Sequence, residues 1–174
     1  MISTLAIIFN TKPILEKDIL VELFSYDEGR IRAFAKYSQS KKPRFGGQLN
    51  TLNACKIMMI KRGDSYNISQ ISVVNGFEGI KVSYEKMSIA YQLLHLIKAV
   101  TQMNHENNEL FMFLYDHLKT LNGLAGNNLA AFKLDSYKKL LQLEGVLDIN
   151  SKLSEHEVIK MIESYTSIKL RDVL

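Results

Sequence analysis

The stretch GRIRAFAKY, Gly29 to Tyr37, alternates in character at every residue. Successive side chains of a strand point to opposite faces. Arg30, Arg32, Phe34 and Lys36 therefore share one face, and Ile31, Ala33, Ala35 and Tyr37 the other. The second set suits a closed apolar interior, while the first is a ladder of cations holding one aromatic. The period of two extends outward in both directions. Ser3–Asn10 and Asp18–Ser25 read as two earlier strands, with Asp27-Glu28-Gly29 as a turn. Leu52–Arg62 and Tyr66–Val74 read as two later ones, joined at Gly63-Asp64-Ser65 as a hairpin. Five short strands in about 75 residues predict a small barrel, because closure removes the edges an open sheet exposes. The expected form is a five-stranded Greek-key barrel of the OB type. An SH3-like barrel is the alternative, since pattern does not fix strand order.

Around Gly76–Gly79 the period changes to that of a helix. Tyr84–Val100 carries Met87, Ala90, Tyr91, Leu94, Ile97 and Val100 on one stripe, opposite Glu85, Ser88, Gln92 and His95. Further helices are predicted over Asn108–Leu121 and Leu129–Leu143, the latter stopped by Gly145. A fourth starts at Ser154, where Ser154 and Glu157 form a capping box. The fold class is thus α+β, with an OB-type barrel over residues 1–78 and an all-α helical domain over residues 79–174.

Hydrophobic content of 47% and charged content of 23% are those of an ordinary globular chain, which argues against disorder and against membrane spanning. The apolar run Leu5–Phe9 is far too short for a signal or spanning segment, so a cytoplasmic protein without a membrane partner is expected. The lone Cys55 cannot form an internal disulfide or a zinc site of the usual spacing, and reads as a small buried hydrophobe.

Charge is distributed unevenly. Residues 1–76 hold 11 Lys and Arg against 6 Asp and Glu, and residues 77–174 hold 11 against 12. Between Arg30 and Arg62 lie nine cations and no acid: Arg30, Arg32, Lys36, Lys41, Lys42, Arg44, Lys56, Lys61 and Arg62. A solvated surface mixes signs, whereas a field of one sign concentrates an anionic partner such as nucleic acid. With Phe34 among them, these cations meet the need of a single-strand binder for phosphate charge and a flat face for stacking. Those ten residues are the candidate site. Pro43 and Gly46-Gly47 shape the loop that carries Lys41, Lys42 and Arg44, and Phe45 is either a plug in the barrel mouth or a stacking residue.

Catalytic signals are thin. The glycines follow the lysines, so this is no P-loop, and neither a GxSxG nor an HExxH occurs. His105, Glu109, Asp116 and His117 could be drawn as a metal patch but read as polar surface. No cofactor and no enzymatic role are expected. The run Phe111–Leu114 is apolar on more than one face and could meet a partner.

The order of these pieces resembles the RecO family of bacterial recombination mediators and DNA repair proteins. The resemblance is carried by Glu16-Lys17-Asp18 before the second strand, by Gly29-Arg30-Ile31 leading into Ala33–Lys36, and above all by Lys41-Lys42-Pro43-Arg44-Phe45-Gly46-Gly47-Gln48-Leu49. Ser83-Tyr84-Glu85-Lys86, Asn108-Glu109-Leu110-Phe111, Phe132-Lys133-Leu134, Leu140-Leu141 and Gly145 follow in similar order. The resemblance implies an OB barrel followed by helices. It also implies binding of single- and double-stranded DNA, strand annealing, and recombinase loading on DNA coated by single-strand-binding protein. The implied partners are RecR and the C-terminal tail of single-strand-binding protein, and the implied location is the nucleoid-associated cytoplasm. Many members carry four zinc-binding cysteines after the position of Gly145, but Gly145–Ser154 has none, so no zinc is expected. The chain is also short for the family, with its helical part apparently trimmed. Other readings of the residues are a protein–protein adaptor and an RNA-binding OB barrel.

Overall fold

The alternation of Gly29–Ala35 is an inward and an outward face of a barrel wall. In the computed structural model, which describes residues 1–14, 18–36, 44–63 and 65–173, Ile31, Ala33 and Ala35 are fully buried. Five strands form the wall: β1 (Ile2–Pro13), β2 (Ile19–Ser25), β3 (Gly29–Ala35), β4 (Ala54–Arg62) and β5 (Ser65–Asn75). They close in the order β1-β2-β3-β5-β4, with β4 returning to β1. Every neighbouring pair is antiparallel except β3 and β5, which run parallel. This is the OB arrangement, and it settles the choice against an SH3-like barrel. Ala6, Ile8, Val21, Leu23, Cys55, Ile57, Met59, Tyr66 and Ile68 fill the interior beside the β3 residues. The lone thiol is buried packing, as its sequence context indicates.

Closure between β3 and β5 is narrow. Among the described residues, Ala33 with Tyr66 and Phe34 with Asn67 are the pairs across it. The remaining edges are satisfied by irregular chain, as buried backbone polar groups must be. At the start of β3, Arg30 bridges Met103, and the Asn104 amide donates to the Arg30 carbonyl at 2.8 Å. Gly29 makes this approach possible: its φ is +67°, and a Cβ there would overlap the His105 carbonyl. Beyond the paired stretch, the Arg44 guanidinium donates to the Ser69 carbonyl at 2.9 Å. Phe45 and Leu49, on a short 3-10 turn and its cap, enter the barrel core. The Phe45 ring shares this core with the small side chains Ala6, Ala33, Ala35 and Cys55.

The outward faces of β1 and β2 are not solvent faces. Phe24 is fully buried, with ring centroids 5.8 Å from Phe9 and 5.6 Å from Phe111. Tyr26 also meets Phe111, edge-on at 5.6 Å. Apolar residues on both sides explain why Leu5–Phe9 reads as a continuous apolar run instead of alternating.

The chain divides into two units: residues 1–76 with 101–111, and residues 77–100 with 112–174. The excursion of 101–111 into the barrel unit is carried by backbone pairing, so hydrophobic period gives no sign of it. The helices are α1 (Glu78–Lys81), α2 (Tyr84–Val100), α3 (Asn108–Gly123), α4 (Leu129–Leu143) and α5 (Glu155–Thr166). On α2, Ile89, Leu93 and Leu96 are buried with Ala90, Leu94 and Ile97, a wider face than one stripe. Gly145 ends α4 at φ +69°, and the Val146 amide returns to the Leu141 carbonyl at 2.8 Å. At α5, Ser154 and Glu157 exchange both capping bonds. The double-sided run of α3 divides its work: Phe111 packs in the barrel unit, while Phe113 stacks on His117 at 4.0 Å in the helical unit. His117 is therefore half-buried. Its Nδ1 lies 2.7 Å from the Phe113 carbonyl, and its ring is 5.8 Å from Phe132. Burial holds its basicity below the usual histidine value, with Lys139 adding to the effect and Asp116 opposing it.

Two predictions follow from these contacts. Gly29→Ala adds a left-handed strain of about 1–2 kcal/mol to an overpacking cost of about 1–3 kcal/mol. Gly63→Ala, at φ +58° with no neighbour within 4 Å of its Cβ position, adds the strain alone. Urea unfolding of both variants against wild type should rank Gly29→Ala clearly lower. For His117, a depressed folded value means that the unfolded chain binds more protons below pH about 6.5. Stability is therefore unaffected above that pH and is lost as pH falls through the window below it. His117→Gln should flatten the decline in thermal midpoint between pH 7.5 and 5.

Candidate nucleic-acid interface

The outward face of β3 does not present its cations equally. Arg30 lies under the 101–107 segment, with its side chain only 14% exposed. Its Nε is 3.8 Å from a Glu22 carboxylate oxygen and 3.1 Å from the Met103 sulfur. It is engaged in holding the barrel wall to that segment. Arg32 is exposed, opposite Glu22 in the register of β2. Phe34 is half-buried between Leu20 of β2 and Asn67 of β5. Lys36 is exposed just past the end of β3. Lys41 and Lys42 lie outside the described residues.

Three of the candidate cations meet. Lys36, Arg44 and Arg62 border a depression of about 170 Å³, together with Ile60, Asn67, Ile68 and Ser69. It sits where β3 ends, β4 ends and β5 begins, just past the pairs Ala33–Tyr66 and Phe34–Asn67. No acid is among the described lining residues. Arg44 is held there twice, by its bond to the Ser69 carbonyl and by the Phe45 ring, whose centroid lies 5.1 Å from the guanidinium carbon.

The other two lie apart. Lys61 stands over the Tyr66 ring at 5.3 Å, and the Tyr66 hydroxyl donates to Glu28 at 2.7 Å. Burial and that carboxylate push the phenol above its usual value, so it remains a neutral donor. Lys56 is exposed on β4, paired with Leu5 and Ser72. It lies six residues from Arg62, about 20 Å along the strand, so it is not part of the depression. The sequence reading missed Ile60, Asn67 and Ser69. Ile60 carried a signal, an apolar side chain exposed among the outward positions Lys56, Met58 and Arg62. Asn67 and Ser69 carried none, because the β3–β5 register that brings them beside Lys36 is not written in either strand.

The model of the family described as recombination protein O, N-terminal, matches residues 1–77, which include all five strands and every cation placed above. Residues 1–77 are thus an N-terminal domain of the RecO family. The chain is 28% identical over 149 residues to the DNA repair protein RecO of Caldanaerobacter subterraneus subsp. tengcongensis, covering 85% of this chain and 60% of that one. It is 30% identical over 146 residues to RecO of Thermodesulfovibrio yellowstonii, covering 83% and 55%. For RecO of Rhodopirellula baltica the figures are 29% over 109 residues, covering 62% and 40%. The chain thus spans about half the length of the curated relatives it matches. Among the described residues, no helix is long and apolar enough to cross a membrane.

The position of Phe45 decides between its two sequence readings in favour of the plug, since the ring is 3% exposed in the barrel core. Phe45→Ala should therefore cost about 3–5 kcal/mol of barrel stability. A stacking residue would leave unfolding unchanged and lower only nucleic-acid affinity. Chemical denaturation of the variant separates the two.

Proposed function

We propose that this protein belongs to the RecO family as a whole and acts in DNA repair as a recombination mediator that binds DNA through the barrel and catalyses no bond-breaking step. The observation that carries the reading is the convergence of Lys36, Arg44 and Arg62 on one depression in the family's N-terminal barrel, with no acid among its described lining residues. The mechanism is electrostatic. Cations hold each strand by its phosphates and lower the repulsion between two strands, while base edges stay free to pair. In this reading both single- and double-stranded DNA bind, complementary strands anneal, and recombinase is loaded on strands coated by single-strand-binding protein. RecR and the C-terminal tail of single-strand-binding protein are the proposed partners, and the nucleoid-associated cytoplasm is the proposed location. Arg32, Phe34, Lys41, Lys42, Lys56 and Lys61 extend the proposed surface, and Arg30 supports it from beneath the 101–107 segment.

Contact with about 4–6 phosphates predicts that log K falls with log[salt] at a slope of about −3 to −4 on single strands. Replacing Lys41, Lys42 and Arg44 together by Ala should flatten that slope by up to about 2 and weaken all sequences alike. Fluorescence anisotropy with labelled oligonucleotides over a salt series reads both. A slope near zero for the wild type overturns the reading. Competition by matched RNA oligonucleotides at equal or better affinity would move the function to RNA.

A further inference from the structure

The depression at the β3–β5 seam has the properties of a formed site and not merely of a basic patch. Its volume of about 170 Å³ is room enough for a phosphate group with its ester carbons. Three cations border this one space with no acid among the described lining residues. Like charges in that arrangement repel one another, and an anion seated between them removes the cost. Ile60 and Ile68 supply apolar flanks that reduce screening by water, while Asn67 and Ser69 supply polar ones.

Arg44 is held in place before any ligand arrives. A guanidinium offers five N–H donors in a rigid fork, and one terminal nitrogen is committed to the Ser69 carbonyl. The guanidinium carbon also lies 5.1 Å from the centroid of the Phe45 ring, and Phe45 is itself buried in the core. Side-chain ordering that usually opposes binding is thus already complete at this residue. The usual ligand face of an OB barrel, across β2 and β3, is by contrast covered at its start: Phe24 is fully buried, and the Arg30 side chain is 14% exposed.

We infer that Lys36, Arg44 and Arg62 hold one and the same phosphate group of a bound strand, so that the seam depression is a single-phosphate anchor and not three separate points on a phosphate track. The inference rests on the DNA-binding reading above and specifies where within that surface the strand is pinned. A backbone phosphodiester and a free phosphate share the chemistry, and the two arms of the test separate them.

In the first arm the full chain is titrated with inorganic phosphate at ionic strength matched by chloride, and amide shifts are followed by NMR. Shifts concentrated at Lys36, Arg44, Asn67 and Ser69, and abolished in Lys36→Gln/Arg62→Gln, are expected. Shifts absent or scattered over the barrel overturn the anchor. That double variant keeps the Arg44 bond to Ser69, so loss of fold does not explain its behaviour. In the second arm, single-strand affinity is measured over a salt series for wild type and for Lys36→Gln/Arg44→Gln/Arg62→Gln. A shared phosphate flattens the slope by about 0.7, the value for one contact, and three separate phosphates flatten it by about 2. A change of about 2, or none, overturns the anchor and leaves the DNA-binding reading standing. A wild type without salt-dependent affinity overturns that reading instead, while the phosphate titration still decides whether the anion site exists.

Discussion

The barrel depends on a seam two residues long. Four of its five strand junctions are antiparallel ladders, but among the described residues β3 and β5 share only the pairs at Ala33 and Phe34. A closed barrel with so short a junction would leave bare edges on both sides of it, which is unstable against water entry and against pairing with other chains. The protein covers one edge with the segment around Met103 and the other with Arg44, Phe45 and Leu49. Both covers are irregular chain from distant parts of the sequence. Gly29, with its left-handed φ and its contact with the His105 carbonyl, is what lets the first of them approach.

That closure sorts the cations into two kinds. Arg30 and Arg44 both belong to the acid-free span and both stand at the seam, yet their surroundings differ. Arg30 has Glu22 and the Met103 sulfur beside it and is largely enclosed, so its charge is balanced within the wall. Arg44 has a backbone carbonyl and an aromatic ring, neither of which neutralises a full positive charge. Net charge per segment cannot distinguish these situations. A carboxylate on the adjacent strand, diagonal to Arg30 and within reach of its guanidinium, is what decides them.

Much of the architecture was legible because its signals are local. The alternation of Gly29–Ala35, the Gly63 hairpin, the Gly145 stop and the Ser154–Glu157 box each involve a few neighbouring residues, and each lies where its pattern placed it. The strand order was not legible, and neither was anything that follows from it. Asn67 and Ser69 look like ordinary polar residues of a surface strand until the parallel pairing with β3 sets them beside Lys36. The affiliation of 101–111 with the barrel was hidden for the same reason, since a single bridge and one backbone hydrogen bond leave no periodic trace. Phe45 was ambiguous because an aromatic in a basic loop suits both a core and a stacking site. The burial of its ring in the barrel core resolves it.

Arg44 makes the stability of the seam and the proposed hold on DNA parts of one system. Its bond to Ser69 satisfies a strand edge, and the same bond aims a fixed fork at the depression. A ligand seated against that fork meets Arg44 with its Ser69 bond and its Phe45 contact both in place. By linkage, a ligand that binds only this closed arrangement stabilises it by the free energy of its own binding. The weakest junction of the barrel would then be strongest when a strand is bound. A binding surface built on the long β4–β5 ladder could not behave this way, since nine residues of pairing there leave little for a ligand to add.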